Sequence, residues 1–137
     1  MVSNTNTMKN LQPKEAYDWL QTHADALFVD IRMEIESLYV GRPPGVVNVP
    51  WYDYPDLQPN AQKFAEIIGD EANGKDQPLL LICRSGQRTI AAGKVLEDAG
   101  FVNVQHVLHG FEGELNEQFK RSTLSGWRFD GLPWEQM

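Results

Sequence analysis

Residues 79–90 read Leu-Leu-Leu-Ile-Cys-Arg-Ser-Gly-Gln-Arg-Thr-Ile, and this stretch decides the fold class. Its first four residues form an apolar run of strand length, and a strand that is apolar on both faces is typical of a parallel sheet covered on both sides. A loop follows at residues 83–88. Residues 89–99 then have a helical pattern, and Gly100 is placed to end that helix. The stretch therefore predicts a strand–loop–helix unit of a parallel α/β sheet.

Strands and helices alternate through the rest of the chain. Short apolar strands are predicted at 26–30, 46–49 and 102–107, and helices at 13–21 and 59–69, each starting at a proline. Phe111, Leu115 and Phe119, spaced by four, predict a final helix. This alternation predicts a doubly wound α/β domain, a parallel sheet with helices on both faces.

Length and composition predict one domain over residues 1–137. The chain has 137 residues, of which 42% are hydrophobic and 23% are charged, as in ordinary globular domains. We expect a core at about residues 8–119. The tail, residues 120–137, contains the large apolar residues Trp127, Phe129, Leu132 and Trp134. These are too many for a free linker, so the tail is predicted to pack on the body; a partner-binding or dimer patch is the alternative.

The net charge and the hydropathy of the chain argue against some classes of binding partner. The net charge of −7 makes nucleic acid and anionic membrane surfaces improbable partners. Residues 1–10 are polar and no run of 18 apolar residues occurs, which predicts a soluble, cytoplasmic protein. The one cysteine, Cys83, can form neither an internal disulfide nor a thiolate zinc cluster. Any sulfur chemistry must therefore use Cys83.

The loop that starts at Cys83 is predicted to bind an anion. If the loop curls around the sulfur, its backbone N–H groups and the first N–H groups of the next helix meet at one point, where the helix dipole favours negative charge. Gly86 permits a positive φ in such a tight turn. Arg84 and Arg88 add positive charge, and no acidic residue lies between 77 and 96. These surroundings favour a Cys83 thiolate, although a buried structural cysteine is the alternative.

Four motifs in this order resemble the rhodanese-type sulfurtransferases. They are Asp30-Ile31-Arg32 after a strand, the segment Gly-Arg-Pro-Pro-Gly-Val-Val-Asn-Val-Pro at 41–50, the loop Cys-Arg-Ser-Gly-Gln-Arg-Thr at 83–89, and Leu-His-Gly-Phe at 108–111. The tail is similar to that of some bacterial single-domain members. Arg42 stands where the family usually has histidine, and His109 where it usually has glycine. These two departures leave open whether specificity and the shape of the second turn are altered.

The resemblance implies a mechanism and a set of site residues. The Cys83 thiolate would attack the outer sulfur of a donor such as thiosulfate, release sulfite and hold the sulfur as a persulfide, which cyanide or a thiol then removes. The implied substrate-binding residues are Arg84, Ser85, Gly86, Gln87, Arg88 and Thr89. Asp30 would tie down the loop or pair with Arg88, and Arg32 would steer an anion or make a surface salt bridge. No metal or organic cofactor is implied.

Other functions stay open at this point. The first alternative is a sulfur carrier loaded by another protein, with little turnover of thiosulfate. A cysteine phosphatase would need a loop one residue longer and a general acid, for which Asp30 and Asp53 are the candidates. A Cys–His hydrolase is not favoured, because His23, His106 and His109 lack a hydrolase spacing and are expected to be packed or solvated. The natural donor and acceptor, a protein acceptor included, and the choice of monomer or homodimer are not predicted.

Overall fold

The computed structural model describes residues 8–137, which form a five-stranded sheet with helices on both faces. The strands are β1 (Lys9–Leu11), β2 (Leu27–Asp30), β3 (Val47–Asn48), β4 (Leu79–Ile82) and β5 (Val104–Val107). The helices are α1 (Pro13–Thr22), α2 (Ala61–Glu71) and α3 (Arg88–Asp98), and one turn of π-helix lies at Glu36–Val40. Within the described range, no helix is long and apolar enough to cross a membrane.

The sheet is parallel throughout, with strand order β1-β5-β4-β2-β3, which confirms the predicted doubly wound class. β4 lies at its centre between β5 and β2, and all four of its residues are buried. Because β4 is covered on both faces, it needs apolar residues at every position. β1 was not predicted, since a three-residue strand with Lys9 and Asn10 exposed has no apolar pattern.

Alternate residues of β4 point into two separate cores. Leu79 and Leu81 pack against α2 and α3, in a cluster that includes Phe64 and Leu96. Leu80 and Ile82 face the opposite side, and pack in a cluster formed by α1 and the C-terminal part of the chain. This division follows from the two-residue period of a strand. It leaves the carboxyl end of β4, where Cys83 follows, between the two layers.

The predicted final helix is wrong. The described residues 108–137 contain turns and irregular segments and no helix. Phe111 is buried as the spacing requires, but Leu115 and Phe119 are 45% and 81% exposed. Only the first of the three spaced apolar residues therefore reaches the core.

Backbone hydrogen bonds to the Cys83 loop replace that helix. Gly110 has φ +62°, a left-handed conformation that a helix does not contain. The next two N–H groups, of Phe111 and Glu112, donate to the carbonyl oxygens of Cys83 and Arg84 at 2.8 and 2.9 Å. Gly113, between Phe111 and Leu115, also has a left-handed φ of +76°, which interrupts any helix over this span. The segment instead forms a turn against the loop.

Smaller boundary errors have local causes. α2 begins after Asn60, whose side-chain oxygen accepts from Lys63 N at 3.0 Å, so Pro59 lies outside the helix. Gly69 does not end α2, which continues to Glu71. β5 begins at Val104, and Val102 is exposed before it.

The C-terminal segment, residues 120–137, covers the sheet face opposite α2 and α3. Trp127 is 1% exposed, and its ring lies 5.6 Å from that of Phe28. Its backbone N–H donates to Gly110 O at 2.9 Å, and Arg128 N donates to Phe111 O at 3.1 Å. The segment is thus bonded to the turn that contacts the Cys83 loop. The division of a single domain into a core at 8–119 and a tail at 120–137 stays a prediction.

Candidate active site

Cys83 lies at the carboxyl end of β4, and the loop after it curls back over the sulfur. The residue is fully buried, and Gly86 N donates to Sγ at 3.2 Å. Gly86 has φ +95°, which glycine adopts without strain. Parallel sheets bind ligands at the carboxyl ends of their strands, so Cys83 has the expected position for a reactive group.

The turn at His109 and Gly110 packs directly against this loop. A Cβ atom added to Gly86 would lie 3.0 Å from His109 N, and one added to Gly110 would lie 2.6 Å from both the carbonyl carbon and oxygen of Arg84. Both glycines therefore allow a close approach of two backbone segments. His109 itself has φ +66°, a left-handed conformation that glycine adopts more readily than other residues.

Thr89 and His106 connect the sulfur to the edge of the sheet. Thr89 Oγ1 lies 3.7 Å from Cys83 Sγ and 2.7 Å from His106 Nδ1, and it also lies 3.2 Å from Gly86 O. On the other side of the ring, His106 Nε2 lies 2.7 Å from Asn10 Oδ1. Burial lowers the pKa of His106, so the ring is neutral at pH 7. His106 is therefore joined to the thiol through one hydroxyl group.

The two loop arginines have different surroundings. Arg84 is exposed. Arg88 instead donates to both carboxylate oxygens of Glu36, at 2.8 and 2.9 Å, and its guanidinium lies 5.3 Å from the centre of the Tyr52 ring. Arg88 is thus paired with a residue that the sequence did not single out, and not with Asp30.

Charge and hydrogen bonds both stabilise the Arg88–Glu36 ion pair. Burial alone would raise the pKa of Glu36, but hydrogen bonds and charge from Arg88, with a backbone N–H from Met33, bring that pKa below its ordinary value. Glu36 is therefore ionised at neutral pH and compensates the Arg88 charge. Arg88 thus holds the start of α3 to the π-helical turn, and the positive charge open to solvent in this loop belongs to Arg84.

Asp30 and Arg32 form a buried pair with each other. Arg32 Nε and Nη2 donate to the two carboxylate oxygens of Asp30 at 2.9 and 2.7 Å, and both side chains are fully buried. Asp30 therefore ties down neither the Cys83 loop nor Arg88, and Arg32 neither steers an anion nor forms a surface salt bridge; these expectations are wrong. The Arg32 guanidinium also donates to Gly41 O at 2.6 Å and lies 4.6 Å from the centre of the Phe111 ring. The pair therefore connects the end of β2 to Gly41 and to Phe111.

The two departures from the family motifs lie outside the sulfur's immediate contacts. Arg42 pairs with Glu135 at 3.1 Å and joins the 41–45 segment to the C-terminal segment. His109 Nδ1 lies 2.8 Å from Glu114. Burial alone would raise the pKa of Glu114, but hydrogen bonds from Ser125 and His109 bring it below its ordinary value. His109 and Gly110 both take a left-handed conformation in the second turn, with φ +66° and +62°.

A cavity of about 550 Å³ opens beside the loop. It is lined in part by Ser85, Gly86, Gln87, His106 and His109. Ser85 and Gln87, predicted to bind substrate, thus line a cavity next to the loop that contains Cys83. Among residues 8–137, no group of three or more His, Cys, Asp or Glu is placed to hold a metal ion.

Both candidate general acids for a phosphatase are engaged elsewhere. Asp30 is bonded to Arg32. Asp53 accepts from the backbone N–H groups of Glu34 and Tyr54, at 3.3 and 2.7 Å. Neither carboxylate is directed at the sulfur, which weighs against phosphate ester chemistry.

Comparison with known proteins gives one family. The rhodanese-like domain family matches residues 12–117. An uncharacterized protein of Rickettsia conorii is 30% identical over 134 residues, which cover 94% of this chain and 98% of that protein. A crystal structure of a Mycobacterium tuberculosis protein has 35% identity and a TM-score of 0.81, covering 94% of this chain and 98% of that one. The thiosulfate sulfurtransferase of Pseudomonas aeruginosa shares the fold at 21% identity, with a TM-score of 0.66 over 94% of this chain and 20% of that one.

Proposed function

The chain belongs to the family of rhodanese-like domains, and from that premise we propose that it is a sulfurtransferase that holds sulfur as a persulfide on Cys83. The observation that carries the proposal is the curled loop, with the Gly86 N–H donating to Cys83 Sγ at 3.2 Å. The same donor can stabilise a terminal persulfide sulfur, because an N–H group placed in advance costs no reorganisation when charge develops.

In the first half-reaction Cys83 accepts sulfur. The thiolate attacks the outer sulfur of the donor and a new S–S bond forms at Sγ. The donor's own S–S bond breaks, and its electron pair leaves with the sulfite when the donor is thiosulfate. Arg84, exposed at the loop, is the residue placed to attract such an anion. Thiosulfate is the donor to test first, because the Pseudomonas relative is named for it.

In the second half-reaction an acceptor takes the sulfur away. Cyanide or a thiol attacks the outer persulfide sulfur, and the electron pair of the S–S bond returns to Cys83 Sγ. Splitting the transfer into two displacements predicts ping-pong kinetics. The chain's own groups suffice for this cycle, so the proposal includes no metal and no organic cofactor.

A sulfur carrier is the second candidate, because burial of Cys83 protects a bound persulfide. A fully buried sulfur is shielded from solvent between loading and delivery. Such a site suits a persulfide that is received from one protein and delivered to another. In this case loading is stoichiometric and turnover with thiosulfate is slow. Either role fits a reducing cytoplasm, where the single thiol stays free, and either fits a monomer or a homodimer.

Intact mass measurement tests the proposal directly. After incubation with thiosulfate, the protein should gain the mass of one sulfur atom and lose it on addition of cyanide. Cys83→Ser is the matched control and should gain nothing. If thiosulfate, polysulfide and glutathione persulfide all fail to add sulfur to the wild-type protein, sulfur transfer is refuted. Loading without steady thiocyanate production would select the carrier over the enzyme.

A further inference from the structure

We propose that His106, acting through the hydroxyl group of Thr89, takes the proton from the Cys83 thiol before sulfur transfer and returns it to the departing thiolate afterwards. The inference rests on the proposed function for its place in a reaction, but its geometry is independent of the donor. It assigns a proton relay to a histidine that lies on β5, apart from the loop. His106 does not touch the sulfur and is therefore a positioning residue.

The hydrogen bonds run in one direction along the whole chain of groups. Asn10 Oδ1 can only accept, so His106 Nε2 has the proton in the 2.7 Å contact between them. Nδ1 of the neutral ring is then an acceptor, and Thr89 donates its single hydroxyl proton to it at 2.7 Å. The Thr89 oxygen is left with lone pairs toward the Cys83 S–H group at 3.7 Å. In the series Cys83, Thr89, His106 and Asn10, each hydrogen-bond donor thus faces an acceptor on the next group.

Thr89 has a second acceptor, which makes the relay reversible. Its hydroxyl lies 3.2 Å from Gly86 O as well as 2.7 Å from the imidazole. When the ring receives a proton, Nδ1 becomes a donor and the Thr89 hydroxyl must turn away from it. The hydroxyl can then donate toward Gly86 O or toward the thiolate. Thr89 therefore moves a proton in either direction without moving its oxygen.

The surroundings of His106 keep the ring neutral between transfers. β4 contributes Cys83, α3 contributes Thr89 and β1 contributes Asn10. The charged groups on the same cavity are His109 and Glu114, which pair with each other at 2.8 Å. Because burial lowers the pKa of His106, the ring is a free base at neutral pH and releases its proton easily. His106 and Asn10 both belong to the lining of the cavity beside the loop.

The steps balance in protons and electrons. Cys83 S–H gives its proton to Thr89 Oγ1, while the Thr89 proton passes to His106 Nδ1, which leaves a thiolate and an imidazolium. The thiolate then forms its bond to the donor sulfur, and the leaving group departs with the electron pair. After the acceptor attacks the persulfide, the electron pair returns to Sγ. Thr89 then protonates Sγ and takes the proton back from His106.

The ultraviolet absorbance of the Cys83 thiolate, followed against pH with Cys83→Ser as the blank, tests the relay without any sulfur donor and without a reagent that must reach the buried sulfur. In His106→Asn the amide oxygen can still accept from Thr89 but cannot hold a second proton. We expect the midpoint of the absorbance profile to rise by about one pH unit, which is a tenfold change in the thiol–thiolate equilibrium. Thr89→Val, which removes the hydroxyl at nearly constant volume, should give the same change. Combining the two should give no further shift, because both act on one path.

Two controls separate the relay from a merely structural role. Thr89→Ser keeps the hydroxyl and should restore the wild-type midpoint. His23→Gln replaces the histidine that follows α1, before the amino end of β2, and should leave the profile unchanged. An unchanged midpoint in both His106→Asn and Thr89→Val overturns the relay, as does full additivity in the double variant. A shifted midpoint in a protein that never gains sulfur keeps the relay and removes only the proposed function.

Discussion

Replacing Gly110 with alanine tests how tightly the 109–110 turn is packed against the Cys83 loop. Gly110 has φ +62°, and an added Cβ would overlap Cys83 O and lie 2.6 Å from the carbonyl atoms of Arg84. These are backbone atoms of a loop bonded on both sides, so they cannot rotate away as a side chain could. Gly131 provides a matched control, because it has φ +75° and no atom within 4 Å of an added Cβ.

The two variants share one energetic cost and differ in the other. A left-handed conformation costs a non-glycine residue roughly 1–2 kcal/mol, and Gly131→Ala should lose only this amount. Gly110→Ala should lose that and about 2 kcal/mol more, as is usual when a group is forced into a packed interior. The total is about 3–4 kcal/mol. In addition the displaced loop should load sulfur more slowly, whereas Gly131→Ala should load it at the wild-type rate.

Urea unfolding followed by fluorescence measures the difference. With a slope of about 2 kcal/mol per molar urea, the extra 2 kcal/mol lowers the midpoint for Gly110→Ala by about 1 M relative to Gly131→Ala. The slope itself should stay the same in both. Equal midpoints for the two variants would show that the loop yields to an added methyl group, and the reasoning about a rigid clamp would be refuted.

Three further predictions concern buried titratable side chains. Arg32→Met leaves Asp30 as an uncompensated buried carboxylate and should cost about 3–5 kcal/mol in urea unfolding, while adding Asp30→Asn should recover part of it; an additive loss would contradict the pairing. Glu36→Gln removes the ionised partner of Arg88 and should lower the free energy of unfolding by about 2 kcal/mol. In the wild-type protein this contribution should be lost as the pH falls below roughly 4.5, the ordinary pKa of glutamate. A loss that occurs only above that pH argues against the pair. The lowered pKa of His106 means that the unfolded chain binds more protons, so thermal stability should fall as the pH drops below about 6.5, and His106→Asn should flatten that slope.

The sequence was sufficient for the parts of the fold that depend on local patterns. The run 79–82 predicts a central parallel strand because burial on both faces leaves a continuous apolar signal. The position of Cys83 follows from that strand and from the helix after it. The final helix was wrong because its spacing repeats at three residues only, and Gly113, which lies between them, has φ +76° and donates to Arg84 O in the distant loop. β1 has no apolar period at all.

The site was only partly predicted, because several of its residues contact residues that are far away in the chain. Arg88 was expected to bind substrate or to pair with Asp30, but its partner Glu36 is 52 residues away in the chain, on a π-helical turn with no distinct sequence signal. Asp30 and Arg32 were recognised as a motif, yet only the structure shows that they pair with each other. His106 meets Thr89 because β5 lies next to β4, and neither local propensity nor spacing fixes that strand order. The alternation along β5 could have placed His106 on a buried face, but not beside the sulfur.

The bonds from Trp127 and Arg128 to the 110–111 turn determine when the reactive thiol acquires its final environment during synthesis. Cys83 leaves the ribosome before Trp127, by roughly 2–9 seconds at 5–20 residues per second. During that interval neither the turn nor the loop beneath it has its last partners. A nascent or truncated chain therefore contains the cysteine before the turn that contacts its loop has been fastened. We expect the proposed sulfur loading only on a chain whose C-terminal segment has been made and docked.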